Sequence, residues 1–314
     1  MAEADPLPIH PLRRRLVPPG SPTPMFVHPD DGSIWAFPPS PRVVRMRDDA
    51  VEVIADGDAV ALPDAGRALL YKHQVQLYYD TARRAPVWLV STYGTDPESV
   101  LLGAWDGRRF ALLAHEGATS PIGGDGFAFD PLRGVLVHFL GASDTSLERQ
   151  KARAGLGGVV VRELGLDGRW RPAPGLLPGL GRSRLFCGWD GRRGKIVVID
   201  EDTRRTFAWD GAAFEPLPDF PSLPWQPYAM SLAAGTRELV YVHAERSTTP
   251  RVHAWILRPD RWHKLDTRGL VQFGGAAHDP RTDTSLVAAP WFGPGTIPTQ
   301  WAAFDGDDRG RLRQ

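Results

Sequence analysis

An all-β fold of many short strands is what this sequence predicts, and three observations carry that expectation. Glycine (33) and proline (30) together fill 63 of the 314 positions, against roughly 12% in an average protein, and both interrupt long regular elements, proline by lacking a backbone donor and glycine through its entropy. Disorder does not follow, because 42% of residues are hydrophobic and 11 are tryptophan, enough apolar surface for a core. Finally, runs of Val, Leu, Ile and aromatic residues recur at a near-constant interval, each ending in a turn signal.

The recurring unit is an apolar run, an Asp or Pro, two to four turn residues, then a second apolar run. Its six copies are Met25 to Pro29 with Ser33 to Phe37, Leu77 to Asp80 with Val87 to Val90, Phe127 to Asp130 with Val135 to Phe139, Cys187 to Asp190 with Lys195 to Ile199, Met230 to Ala233 with Glu238 to Val242, and Ala276 to Asp279 with Ser285 to Ala288. The anchors Pro29, Asp80, Asp130, Asp190, Ala233 and Asp279 are 51, 50, 60, 43 and 46 residues apart. A second phrase follows each copy, clearest in Ala104-Trp-Asp-Gly-Arg-Arg-Phe110 and Ala208-Trp-Asp-Gly-Ala-Ala-Phe214, looser at Gly165 to Trp170, Ile256 to Trp262 and Ala303 to Gly306, and most degenerate at Met46 to Val51. Asp-Gly between apolar runs predicts a tight primed hairpin turn. Each repeat therefore holds two hairpins, and six repeats of four short strands predict a six-bladed β-propeller.

On these residues the chain resembles the kelch-type propeller family, whose repeats carry two aromatics separated by six intervening residues across the outer hairpin. Phe207 to Phe214 and Trp255 to Trp262 keep that spacing. The family's diglycine survives only as Gly141 after Phe139, and Gly103, Glu163 and Asp308 stand where an aromatic is expected. The resemblance spans roughly residues 24 to 312 and implies architecture, not binding residues. Alternative architectures are a seventh blade within residues 1 to 75 or a pair of β-sandwiches.

Residues 1–22, which hold six of the seven prolines in the first 25 residues, read as a proline-rich N-terminal extension, and 23–314 as one propeller domain. One short helix is expected near 144–155, where Thr145 and Glu148 form a capping box and Gly155 a stop. Positive and negative residues balance at 37 each, and no basic run exceeds Arg13-Arg14-Arg15, which argues against nucleic acid or an anionic membrane as partner. Of the 37 basic residues only Lys72, Lys151, Lys195 and Lys264 are lysine, and there is no asparagine, a pattern of GC-rich bacterial coding. The one cysteine, Cys187, lies in an apolar stretch and reads as a buried thiol. With neither a signal peptide nor an 18-residue apolar span, the expectation is a soluble, cytoplasmic, monomeric protein.

Chemistry is less legible. His243, His253 and His263 sit ten residues apart on different strands, without metal-ligand spacing, and Asp30-Asp31-Gly32, Asp56-Gly-Asp58 and Asp305 to Asp308 lack a full calcium-loop pattern, so neither a metal nor a cofactor is expected. No nucleophile elbow, metalloprotease helix or phosphate loop is present. The loops leading into the innermost strands are polar, and Lys72, His73, Arg182, Arg184, Gln226, Tyr228 and Gln272 would form a cationic, hydrogen-bonding ring at the channel mouth, suited to a carboxylate or acidic peptide. Two loops join aromatics to prolines, Phe220 to Trp225 and Pro290 to Pro298, and offer Trp225, Trp291 and Phe292 as interface residues. The functional expectation is a non-catalytic scaffold binding a protein or peptide partner. The alternative is a hydrolase or lyase on a small sugar or lactone, with His73 as base and Arg182 or Arg184 holding an anion.

Overall fold

A computed structural model describes residues 7–8, 10–15, 25–36, 42–47, 50–56, 75–92, 99–113, 126–140, 158–178, 185–200, 203–221, 227–233, 239–245, 252–266, 275–279, 281, 284–289 and 299–305. Among these, every regular element is a strand. The expected helix at 144–155 lies outside them.

Two short strands, β1 (Leu7–Pro8) and β2 (His10–Arg15), come first. The first sheet follows as β3 (Met25–Val27), β4 (Ile34–Ala36), β5 (Arg42–Arg47) and β6 (Ala50–Asp56), and the second as β7 (Val75–Asp80), β8 (Ala85–Thr92), β9 (Ser99–Trp105) and β10 (Phe110–Leu112). The third contains β11 (Gly126–Asp130), β12 (Val135–Leu140), β13 (Gly158–Leu164) and β14 (Trp170–Pro178), and the fourth β15 (Leu185–Asp190), β16 (Lys195–Asp200), β17 (Thr206–Trp209) and β18 (Phe214–Leu217). The fifth is built from β19 (Pro227–Ala233), β20 (Val240–Glu245), β21 (Val252–Leu257) and β22 (Trp262–Asp266), the last from β23 (Gly275–Asp279), β24 (Thr284–Ala289) and β25 (Thr299–Asp305). Within each sheet consecutive strands pair antiparallel, so each is a simple meander.

The N-terminal stretch completes this pattern. β2 pairs antiparallel with β25, His10 opposite Ala303 and Leu12 opposite Trp301, and supplies the last sheet's fourth strand. β1 pairs parallel with β22, Leu7 opposite Leu265, and adds a fifth strand to the sheet before it. Residues that read as an extension in the sequence thus contribute strands to two sheets.

The chain divides into two compact units, one of Met1–Asp56 with Pro221–Gln314 and one of Gly57–Phe220. In the second unit the core lies between sheets. Val87, Leu89 and Leu102 of the second sheet pack on Phe127, Leu136, Leu164 and Trp170 of the third. On its other side the third sheet presents Ala128, Val137, Phe139 and Val161 to Leu185, Trp189, Ile196, Val198, Phe207 and Trp209 of the fourth. Successive β12 residues therefore face opposite neighbours, Leu136 one way, Val137 and Phe139 the other, which is why the run reads as continuously apolar rather than alternating. Phe139 meets Trp209 edge-on at 5.6 Å, and burying side chains such as Phe139 and Ile196 contributes roughly 1.5–3 kcal/mol each. In the other unit β3 and β19 both lie beside β23, and Ile34, Trp35 and Ala36 are buried.

The outer hairpins depart from the expected primed turn. Trp105 pairs with Phe110, leaving a four-residue loop, Asp106 to Arg109. Only Gly107 adopts positive φ (97°), while Asp106 accepts the N–H groups of Arg108 and Arg109 at 2.9 and 2.8 Å. Asp210 does the same for Ala212 and Ala213, with Gly211 at φ 100°. The aspartate's role is to accept hydrogen bonds from the turn, not to supply a left-handed residue. Those donors hold the carboxyls of Asp106 and Asp210 below the usual range.

Candidate functional site

The two ends of the strands offer different chemistry. At the end carrying the hairpins between first and second strands, Asp80, Asp130 and Asp190 are buried. Asp130 Oδ1 accepts the N–H groups of Leu132 and Arg133 at 3.0 and 3.1 Å, Gly134 N–H donates to the Asp130 carbonyl at 2.9 Å, and Arg133 Nε reaches Oδ2 at 2.7 Å. Asp80 and Asp190 repeat this with Arg83, three residues on at 2.5 Å, and Arg193. A buried carboxylate without a cation is costly, so the arginine three residues later is part of the turn. These arginines also join neighbouring sheets. Arg83 donates to the Gly165 carbonyl at 3.3 Å, and Arg133 pairs with Glu163 and stacks over Trp209 at 4.7 Å from the ring centre. Burial raises the carboxyl pKa of Asp190, against the pull of Arg193 and two turn N–H groups. These charges hold the fold together and are not available to a substrate.

At the opposite end, β11 and β15 lie side by side, and a Cβ on Gly126 would run into Cys187 Sγ. Half-buried Cys187 therefore sits where only glycine allows the neighbouring strand so close. Asp200 closes β16 at this end, opposite Leu185, and is fully buried. Its Oδ1 accepts Thr203 N–H at 3.0 Å, and its carbonyl accepts Arg204 N–H at 2.8 Å, with Arg204 left-handed at φ 62°. Nearby Thr206, opposite Ile199, is buried as well. Sequence reading passed over Asp200. The available signal was its spacing, an aspartate four residues before a left-handed position, as at Asp130 and Gly134.

Of the residues predicted for the channel mouth, Lys72, His73, Arg182, Arg184, Gln226 and Gln272 lie outside the described residues, as do Trp225, Trp291 and Phe292. Tyr228 falls within β19. His243 and His253 are directly opposite on β20 and β21, and His263 is opposite Ile256. Among the described residues no group of three or more His, Cys, Asp or Glu is placed to hold a metal ion. Asp31 is instead committed within its turn, accepting the Ser33 N–H at 2.8 Å and hydroxyl at 2.6 Å and pairing with Arg47. No helix among the described residues is long and apolar enough to cross a membrane.

No family model and no curated protein matches the sequence. Solved structures do match. The PQQ-bound aldose sugar dehydrogenase of Streptomyces coelicolor is similar at a TM-score of 0.55 and 12% identity, over 94% of this chain and 97% of that one. A gluconolactonase of Xanthomonas campestris is similar at 0.54 and 12%, over 96% and 98%. The protein YjhT is similar at 0.61 and 11%, over 95% and 97%.

Together with the meander sheets, these likenesses define the chain as an all-β β-propeller with four-stranded blades. They also correct two expectations. The neighbouring propellers are of the gluconolactonase and sugar dehydrogenase kind, not kelch-type, and the aromatic pairs behind that resemblance answer to packing: Phe207 and Phe214 meet edge-on at 6.5 Å across β17 and β18. The non-catalytic, kelch-like scaffold reading is overturned with it, since those neighbours are described as enzymes.

Proposed function

We propose that this protein is an enzyme acting on a small sugar or lactone, with hydrolysis of a lactone as its reaction. The observation that carries the reading is full-length similarity to propellers described as a gluconolactonase and an aldose sugar dehydrogenase. The distribution of charge supports it. The carboxylates and arginines of the Asp80, Asp130 and Asp190 turns are paired with one another, so substrate chemistry falls to the lead-in end of the strands. There His73 would take the proton from the attacking water. The ring C–O bond would break as the carbonyl re-forms, His73 would return its proton to the leaving ring oxygen to give the hydroxyl, and Arg182 or Arg184 would hold the anionic oxygen and then the product carboxylate, whose proton passes to solvent. The six sheets among the described residues support a ring of six blades, one widened to five strands by β1.

The test is acid release from a panel of aldonolactones, run beside dye-coupled oxidation of aldoses with added PQQ. Lactone-dependent acid release that His73→Ala abolishes, with the far-UV spectrum unchanged, is the expected result. Oxidation without hydrolysis, or activity untouched by His73→Ala, would overturn the lactonase assignment.

A further inference from the structure

Each sheet of the second unit is a four-stranded meander, so its outer hairpin projects from the same end as the hairpin carrying the turn aspartate. In the second, third and fourth sheets all of these turns fall within the described residues. Four of them touch one another. Thr81 Oγ1 donates to the Pro131 carbonyl at 3.4 Å, and a Cβ on Gly134 would lie 2.7 Å from Ala82 Cβ. A Cβ on Gly194 would lie 3.6 Å from Leu132 Cδ1, and Arg83 reaches the Gly165 carbonyl at 3.3 Å. The turns that begin at Asp80, Asp130, Gly165 and Asp190 therefore make one continuous surface.

Two leucines project from it. Leu132 is 75% exposed and Leu166 60%, each in a hairpin turn of the third sheet, and among the described residues no other large apolar side chain is so exposed. The two hairpins are two strand spacings apart, roughly 10 Å. Charge on the same surface is one-sided. Its carboxylates are engaged within the turns, Asp80, Asp130 and Asp190 by their own arginines, Asp167 by Arg171 and Glu163 by Arg133. Arginines remain around the leucines: exposed Arg84 and Arg192 come from the turns on either side of Leu132, and exposed Arg169 lies three residues after Leu166. Among the described residues Arg84 meets no carboxylate.

We propose that this turn surface docks an acidic protein segment, with Leu132 and Leu166 as apolar anchors and Arg84, Arg169 and Arg192 as the charged rim. Exposed leucines among arginines complement a chain that carries apolar side chains among carboxylates. In a polyproline-II-like segment, side chains three residues apart share one side and stand roughly 9 Å apart, which matches the two hairpins. Nucleic acid is a poorer match, because the leucines interrupt the cations and these four turns carry no aromatic ring for a base to stack on. An anionic membrane fits less well too, since it would meet the exposed carboxylate of Asp167 beside Leu166. The surface lies at the strand end away from the proposed substrate site, and the proposal does not rest on the lactonase reading.

The probe is a fluorescein-labelled peptide of repeated Leu-Glu-Glu, titrated with the full-length protein and followed by anisotropy. Saturable binding is expected, weakened roughly 10-fold or more in Leu132→Ser and in Leu166→Ser, the effect of withdrawing one leucine from an apolar contact. Arg84→Glu should weaken it a few-fold at low salt and little at high salt, where charges at this separation are screened. Both leucines are exposed, so neither serine variant should move the urea midpoint. If one does, the other carries the test. A peptide of glutamate alone should bind much more weakly. Equal affinity for that peptide, undiminished binding in both serine variants, or no saturable binding of the Leu-Glu-Glu peptide would overturn the proposal. So would tighter binding, with the same loss in Leu132→Ser, to anionic phospholipid vesicles or to a single-stranded oligonucleotide, since the surface would then belong to lipid or nucleic acid.

Discussion

The turn at the start of the first sheet and the turns at Asp80, Asp130 and Asp190 share one backbone plan with the acid at different positions. In the latter three an aspartate accepts the N–H groups two and three residues on and pairs with an arginine three residues on. In the former His28 takes the aspartate's place. Its Nδ1 accepts from Asp30 N–H at 3.4 Å, its carbonyl accepts from Gly32 N–H at 2.9 Å, and the residue three positions on is Asp31, 3.8 Å from Nδ1. The difference teaches that the turn requires an acceptor at its first position and a left-handed fifth residue, while the acid can stand first or fourth. The identity of the acid is secondary.

The strongest way to break this comparison is to remove the acceptor. Asp130→Ala leaves two turn N–H groups without their acceptor and takes from Arg133 its buried carboxylate, and should cost about 3–5 kcal/mol in urea unfolding. A loss below about 1 kcal/mol, the size of an exposed ion pair, would mean the carboxylate is not what closes the turn.

The fifth position gives a smaller, graded test. Gly194 (φ 63°) has only Leu132 near an added Cβ, at 3.6 Å, so Gly194→Ala should lose about 1 kcal/mol for its left-handed backbone alone. In Gly134→Ala (φ 64°) the new Cβ would fall 2.7 Å from Ala82 Cβ in the turn of the preceding sheet, and the loss should be clearly larger. Equal losses would show that the turns do not press on one another. Arg84 occupies the same position at φ 54° with a side chain, so Arg84→Gly should be neutral or slightly stabilising.

Acid titration sharpens the contrast between Asp31 and Asp190 with the smallest effect. For Asp31, partial burial raises the pKa but is outweighed by hydrogen bonds from the Ser33 hydroxyl and N–H and by Arg47, which bring it from 3.8 to about 2. Its folded-state pKa lies below the unfolded value, so its contribution is present above pH 3.8 and is lost as pH falls toward 2. Asp190 is shifted the other way by burial, so its ionised form opposes folding and its protonation favours it. Asp31→Asn should therefore flatten the loss of stability between about pH 4 and 2, and Asp190→Asn should steepen it. The same acid limb in both variants and the parent would refute the contrast.

Much of this was legible in the chain. The anchors Asp80, Asp130, Asp190 and Asp279 are buried turn aspartates, because a turn's hydrogen bonds run between residues two to four apart and leave a local signature. In the first copy the anchor is His28 rather than Pro29, a shift visible only once the Gly32 N–H is seen to bond the His28 carbonyl. The kelch-like aromatic spacing was real as spacing and misleading as kinship, since any outer hairpin that packs on a neighbouring blade favours aromatics there. Asp200 went unread because it stands at the end of a second strand and its burial depends on the strands packed around it, which a repeat search does not weigh.

By itself, then, the sequence determined the strands and their turns, since each depends on residues within about five positions along the chain. The tertiary structure decided that His10–Arg15 would complete a sheet with β25, that Leu7–Pro8 would join β22, and that Arg83 would bridge to Gly165 and Arg133 stack on Trp209. Those pairings link residues far apart in sequence. Which edge or ring a strand or guanidinium meets depends on the faces left open once the hairpins have formed.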